Sequence, residues 1–95
     1  GMLLNHYATV APLRLCIKKV FKDEALLAFG KNIPEHNGPM LNLSADSNLR
    51  EAAANLFGMM RQLDKLNPRA IATMPIPKIG LGAAINDRLK RAASY

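Results

Sequence analysis

The sequence predicts one small α/β domain with a mostly parallel sheet. Three observations lead there. The run Ala25 to Phe29 is wholly apolar between Glu24 and Gly30, the pattern of a strand buried on both faces. Residues 48–66 carry apolar side chains at helical spacing. The segments alternate so that this helix joins two strands, a βαβ unit whose crossover is right-handed.

In chain order, residues 1–12 read as a linker-like lead-in without periodicity, ending at Pro12, and residues 13–95 as the single α/β domain. Residues 13–17 alternate imperfectly and suit a short strand that would bury Cys16. A polar turn follows at 18–23, then the strand 24–30. Residues 31–38 form a loop broken by Pro34, Asn37 and Gly38. Residues 39–43 suit a third strand. Ser44, Asp46 and Ser47 offer helix N-caps, Asp46 and Ser47 foremost, because a short side-chain oxygen can accept from free first-turn N–H groups. With Ser47 as cap, Arg50 rather than Glu51 falls three residues on, so the capping box is incomplete.

Along helix 48–66, Leu49, Ala52, Ala53, Leu56, Met60, Leu63 and Leu66 form one stripe, flanked by Phe57 and Met59. Asn67 and Pro68 stop it. Gly58 inside the helix costs about 1 kcal/mol relative to Ala; a close backbone contact with the sheet would account for it. Residues 70–76 give a fourth strand, ended by Pro75 and Pro77. Residues 81–93 give a second helix with Leu81, Ile85, Leu89 and Ala92 on one face.

Composition narrows the function classes. The chain has 95 residues, 49% hydrophobic and 21% charged, the balance of a folded domain rather than a disordered one. No apolar run approaches the roughly 18 residues that span a bilayer. Cys16 is the single cysteine, which excludes an internal disulfide. Gly1 before Met2 reads as a residue left by a protease ahead of a native start, with no signal peptide behind it, so a cytoplasmic location is expected. The net charge of +6 is uneven. Arg14, Lys18, Lys19, Lys22 and Lys31 oppose only Asp23 and Glu24 in the first third, and Lys78, Arg88, Lys90 and Arg91 oppose only Asp87 at the end. Such basic ends suit a polyanion such as RNA, or simply a solvated surface.

The local motifs are sparse. Gly80-Leu81-Gly82 follows a strand and opens a helix, where backbone N–H groups can hold phosphate. Ile85 stands at the third small position of the dinucleotide pattern, so a tight turn is the competing reading. His6 and His36 have no carboxylate or cysteine at ligand spacing, so no metal and no cofactor is expected. A Cys16–His pair would need a reactive thiol, and a buried strand leaves a thiol inert. The carboxylates are scattered, and the five aromatic residues make no stacking platform. Asn86, Asp87 and Arg88 form either a surface ion network or a polar site facing a partner; Asp87 lies early in its helix, where the dipole favours an acid.

Read together, several segments resemble one family. His6-Tyr7-Ala8 after Gly1-Met2 is similar to the linker, PGM followed by HYAP, of the long, two-domain form of threonylcarbamoyl-AMP synthase; Thr9 stands where that linker has proline. Glu24 to Gly30, Leu43-Ser44 with Leu49 to Phe57, and above all Gly80 to Leu89 resemble its C-terminal accessory domain. The resemblance runs through essentially the whole chain and includes none of the YrdC-type catalytic domain. It implies a small Rossmann-like three-layer α/β sandwich, and a place beside an ATP-dependent enzyme, a nucleotidyltransferase that makes threonylcarbamoyl-adenylate for tRNA threonylcarbamoyladenosine modification and so for translation. It also implies that His6 and Tyr7 lie in a linker crossing the mouth of the catalytic pocket.

The expectation that follows is a non-catalytic accessory or regulatory domain. It would close over or dock on a YrdC-type catalytic domain, in cis or in trans, within the tRNA-modification machinery and away from membranes. A homodimer through an exposed sheet edge is compatible with the pattern. The alternatives are a small RNA-binding module using the two basic ends, or a nucleotide-binding one using the Gly80–Gly82 loop.

Overall fold

A computed structural model describes residues 9–94. Six elements follow in order: β1 (Leu13–Arg14), β2 (Ala25–Ala28), β3 (Met40–Asn42), α1 (Leu49–Asp64), β4 (Ile71–Thr73) and α2 (Leu81–Ala93). The strands form one sheet in the order β1-β4-β2-β3, and every pairing is parallel. The registers set Leu13 beside Ile71, Ala25 beside Ile71, and Leu26 beside Met40.

The apolar run explains the position of β2. All four of its residues are buried, as are all three of β4, so these two occupy the centre and the less buried β1 and β3 the edges. Alternation along β2 then divides the core. Ala25 and Leu27 face a cluster with Leu56, Met60 and Leu63 of α1 and Ile85 and Leu89 of α2. Leu26 and Ala28 face a second cluster of Ile17, Val20 and Ala72, with Ile33 against it. Both helices therefore lie on one face. The other outer layer of the sandwich is built from irregular segments, one before β2 and one between β2 and β3. The βαβ unit is present with β2 inserted between its strands.

Helix α1 is capped by Asn48, not by Asp46 or Ser47. Ser47 adopts φ 59° and so closes a turn instead of entering the helix. Asn48 Oδ1 accepts from the Glu51 N–H at 3.0 Å. The Ser44 hydroxyl donates to the Glu51 carboxylate and accepts from the Asn48 N–H at 2.9 Å. Glu51 thus reaches the cap backbone through Ser44, a relayed form of the capping box.

Several local expectations are corrected. Gly58 is exposed, and an added Cβ would have nothing within 4 Å, so no sheet contact explains it. Leu66 lies past the end of α1 and is exposed; the chain turns there through Asn67 at φ 55°. Cys16 lies beyond β1, exposed and at φ 54°, not in a buried strand. On α2 the buried face begins at Gly82, while Leu81 points outward.

Candidate functional site

His6 and Tyr7 lie outside the described residues. The described part of the lead-in begins at Thr9. Asp64, at the end of α1, accepts the Val10 N–H on Oδ2 at 3.0 Å and the Ala11 N–H on Oδ1 at 2.9 Å. A carboxylate near a helix C-terminus opposes the dipole, so this placement is unfavourable for the helix alone. It gains from two charge-assisted bonds to the lead-in. Ala11 is buried in the main core, whereas the Val10 side chain is 93% exposed. Val10 and Ala11 are therefore fastened to the helix layer. Nothing local in the sequence marks Asp64, because its partners lie 53 and 54 residues away.

The turn into α2 uses its two glycines differently. Gly80 has φ 52° and ψ −129°, a conformation close to glycine-only. At Gly82 the issue is space: a Cβ would fall 1.8 Å from the Pro77 carbonyl oxygen. The Gly82 and Ala83 N–H groups donate to the carbonyls of Ile79 and Gly80 at 2.8 and 3.1 Å, so these first-turn amides are engaged within the turn. Ile79 and Leu81 flank Gly80 and are exposed, an apolar setting for a charged phosphate.

Asn86, Asp87 and Arg88 have separate settings. Asn86 is half-buried, and its Nδ2 donates to the Ile76 carbonyl at 2.9 Å and the Gly82 carbonyl at 2.7 Å. It ties the segment after β4 to the first turn of α2. Asp87 pairs with Arg91 at 3.1 Å, both exposed. Arg88 lies 5.9 Å from the centre of the Phe57 ring, which joins α2 to α1.

Beyond the carboxyl ends of β1 and β4, Cys16, Lys78, Asn86, Asp87 and Lys90 line a cleft of about 460 Å³. Carboxyl ends of parallel strands are the usual place for ligands in open α/β sheets. A larger basin of about 730 Å³ lies between residues 18–22 and 34–38. The two basic ends of the chain therefore line different clefts. Among the described residues, no three His, Cys, Asp or Glu side chains gather as a metal site, and no helix is long and apolar enough to cross a membrane.

The shortest ion pair among the described residues joins Arg14 to Glu24 at 2.6 Å. The Arg14 guanidinium beside it holds its carboxyl below the usual carboxylate range, against the opposing effect of burial, with the Phe21 N–H helping at 2.9 Å. The same bond raises the Arg14 pKa.

Comparison with known families places the chain in context. The family model described as "Threonylcarbamoyl-AMP synthase, C-terminal domain" matches residues 1–94. No solved structure matches the chain.

Proposed function

The chain belongs to the threonylcarbamoyl-AMP synthase C-terminal domain family, and from that premise we propose that it is a non-catalytic accessory domain. It docks on a YrdC-type catalytic domain, in cis or in trans, and carries the segment with His6 and Tyr7 toward the nucleotide pocket. The observation that supports this reading most is the pair of hydrogen bonds that the Val10 and Ala11 amides donate to the Asp64 carboxylate. It makes the root of the lead-in part of the domain body. A movement of the domain is then transmitted to the residues just before it, which is what a lid-bearing linker requires. Tyr7 offers a ring face and a hydroxyl, and His6 an imidazole, for a nucleotide. Exposed Ile79 and Leu81 add apolar surface at one end of α2 that a protein partner can cover.

The test is calorimetry of the 95-residue chain with a YrdC-type catalytic domain from the same source. Binding is expected in the micromolar range or tighter. Asp64→Ala is expected to weaken it at least threefold while α1 stays folded. Absence of binding at the highest soluble concentrations overturns the docking reading in trans. Binding that is indifferent to Asp64→Ala removes the role of the anchored lead-in.

A further inference from the structure

We infer that the basin between residues 18–22 and 34–38 is a binding site for phosphate groups. It lies at the amino ends of β2 and β3, on the side of the sheet away from the helices. Lys18, Lys19 and Lys22 line it, with Glu35 the one carboxylate among its lining residues.

The lysines are available. The two acids beside them in sequence are used elsewhere, Glu24 by Arg14 and Asp23 by Arg69. Among the described residues, none of the three lysines is in an ion pair. The loop that carries them is held in shape. Arg14 reaches from β1 to the Lys19 carbonyl at 2.9 Å and to both oxygens of Glu24, and Glu24 in turn accepts from the Phe21 N–H. Val20 is buried in the second core cluster and anchors the same loop from below. The opposite wall contributes a second, independent observation. His36 Nε2 is the buried side-chain polar atom without a hydrogen-bond partner among the described residues. The absence of a side chain at Gly38 makes room for its ring, since a Cβ there would stand 2.8 Å from Nε2. Buried polar atoms are nearly always satisfied; this one lies against Gly38 with almost no accessible surface, so a ligand in the basin pairs with it once the imidazole turns outward.

The residue types select the ligand. Three lysine ammonium groups are compact point charges on one basin, which suits a multiply charged anion such as a phosphate group. Apart from the His36 imidazole, the lining residues carry no aromatic ring on which a base could stack. Recognition is therefore of phosphate, not of base identity. The phosphate could belong to an RNA backbone or to a free nucleotide, and the salt dependence separates the two.

The experiment is a titration of the isotope-labelled 95-residue protein with tripolyphosphate, ATP and a short RNA hairpin, read by amide chemical shifts. Tripolyphosphate is expected to move the amides of 18–22 and 34–38. The triple variant Lys18→Ala, Lys19→Ala, Lys22→Ala is expected to lose at least tenfold in affinity, and Glu35→Gln to gain severalfold. If the triple variant does not fold, Lys22→Ala alone with Glu35→Gln reads the same opposite signs. Tighter binding of the hairpin than of ATP, with a log–log salt slope that falls by about 2 in the triple variant, assigns the phosphate to an RNA backbone. ATP binding as tightly as the hairpin assigns it to a free nucleotide. No shifts at millimolar ligand, shifts confined to the Lys78–Lys90 cleft, or affinity untouched by the lysine changes overturns the proposal.

Discussion

The Arg14 guanidinium grips the Glu24 carboxylate at both oxygens, Nε to Oε2 at 2.6 Å and Nη2 to Oε1 at 2.8 Å. The carboxylate is almost wholly buried, while the guanidinium side chain is 38% exposed. One edge strand and the loop before β2 are thereby joined by a charged pair whose acid has little water of its own.

Glu24 is expected to make stability depend on pH in the acid range. Its folded-state pKa is depressed, chiefly by the bond from Arg14. Its contribution is thus complete above the ordinary carboxylate pKa and is lost as pH falls through the depressed value. Thermal melts of the wild type should decline across that window, and Glu24→Gln should flatten the decline. At neutral pH, Glu24→Gln should cost about 2 kcal/mol, in the range for hydrogen bonds to charged groups. A fully buried pair would be worth more when broken; here Arg14 stays partly in water.

Two glycine substitutions should act in opposite directions. Gly82→Ala drives a methyl group into the Pro77 carbonyl oxygen, which belongs to backbone and cannot swing aside. The loss should reach about 3 kcal/mol, the upper range of overpacking effects. Gly58→Ala meets open space in the middle of α1 and should stabilise by about 1 kcal/mol. Urea denaturation of both variants checks the pair, and a destabilised Gly58→Ala would mean that the helix is distorted there.

Asn86 and Asp87 are adjacent yet should differ in stability cost. Asn86→Ala leaves the Ile76 carbonyl without its side-chain donor and should cost roughly 1–3 kcal/mol. Asp87→Asn breaks only an exposed pair with Arg91 and should change stability by less than about 0.5 kcal/mol. If Asp87→Asn also leaves the affinity for a YrdC-type domain unchanged, Asp87 is no part of the docking face.

Removing the cap of α1 should be measurable on its own. Asn48→Ala deletes the acceptor for the Glu51 N–H and should cost about 1 kcal/mol. Ser44→Ala should cost a similar amount, because the buried Ser44 hydroxyl links Glu51 to the Asn48 N–H. The double variant should lose less than the sum, as expected for neighbours in one network. Strict additivity would mean that the two residues act independently.

How far the site was legible depends on the range of each interaction. Residues 81–93 match α2 at both ends, since its apolar spacing is local. The buried positions of α1, Ala52, Leu56, Met60 and Leu63, are visible in the same way. The cap was not, because Ser44, Asp46, Ser47 and Asn48 are all capping residue types, and only the left-handed turn at Ser47 selects Asn48. The glycines of the 80–82 turn were conspicuous, but their separate reasons were not: one answers to a backbone angle, the other to a carbonyl five residues earlier. The basin was hidden because it joins two loops that precede different strands.

The sequence by itself determined the element order, the buried central run, the apolar faces of both helices and, through its family resemblance, the association with threonylcarbamoyl-AMP synthase. Periodicity and composition carry that information because they report on neighbours a few residues apart. Only the tertiary structure decided that β2 lies between β3 and β4, that both helices share one face, that Asp64 anchors the lead-in, and that three lysines and His36 line one basin. Each of these depends on which distant segments meet. That choice is made by burying the whole apolar surface at once, with every buried polar group competing for a partner.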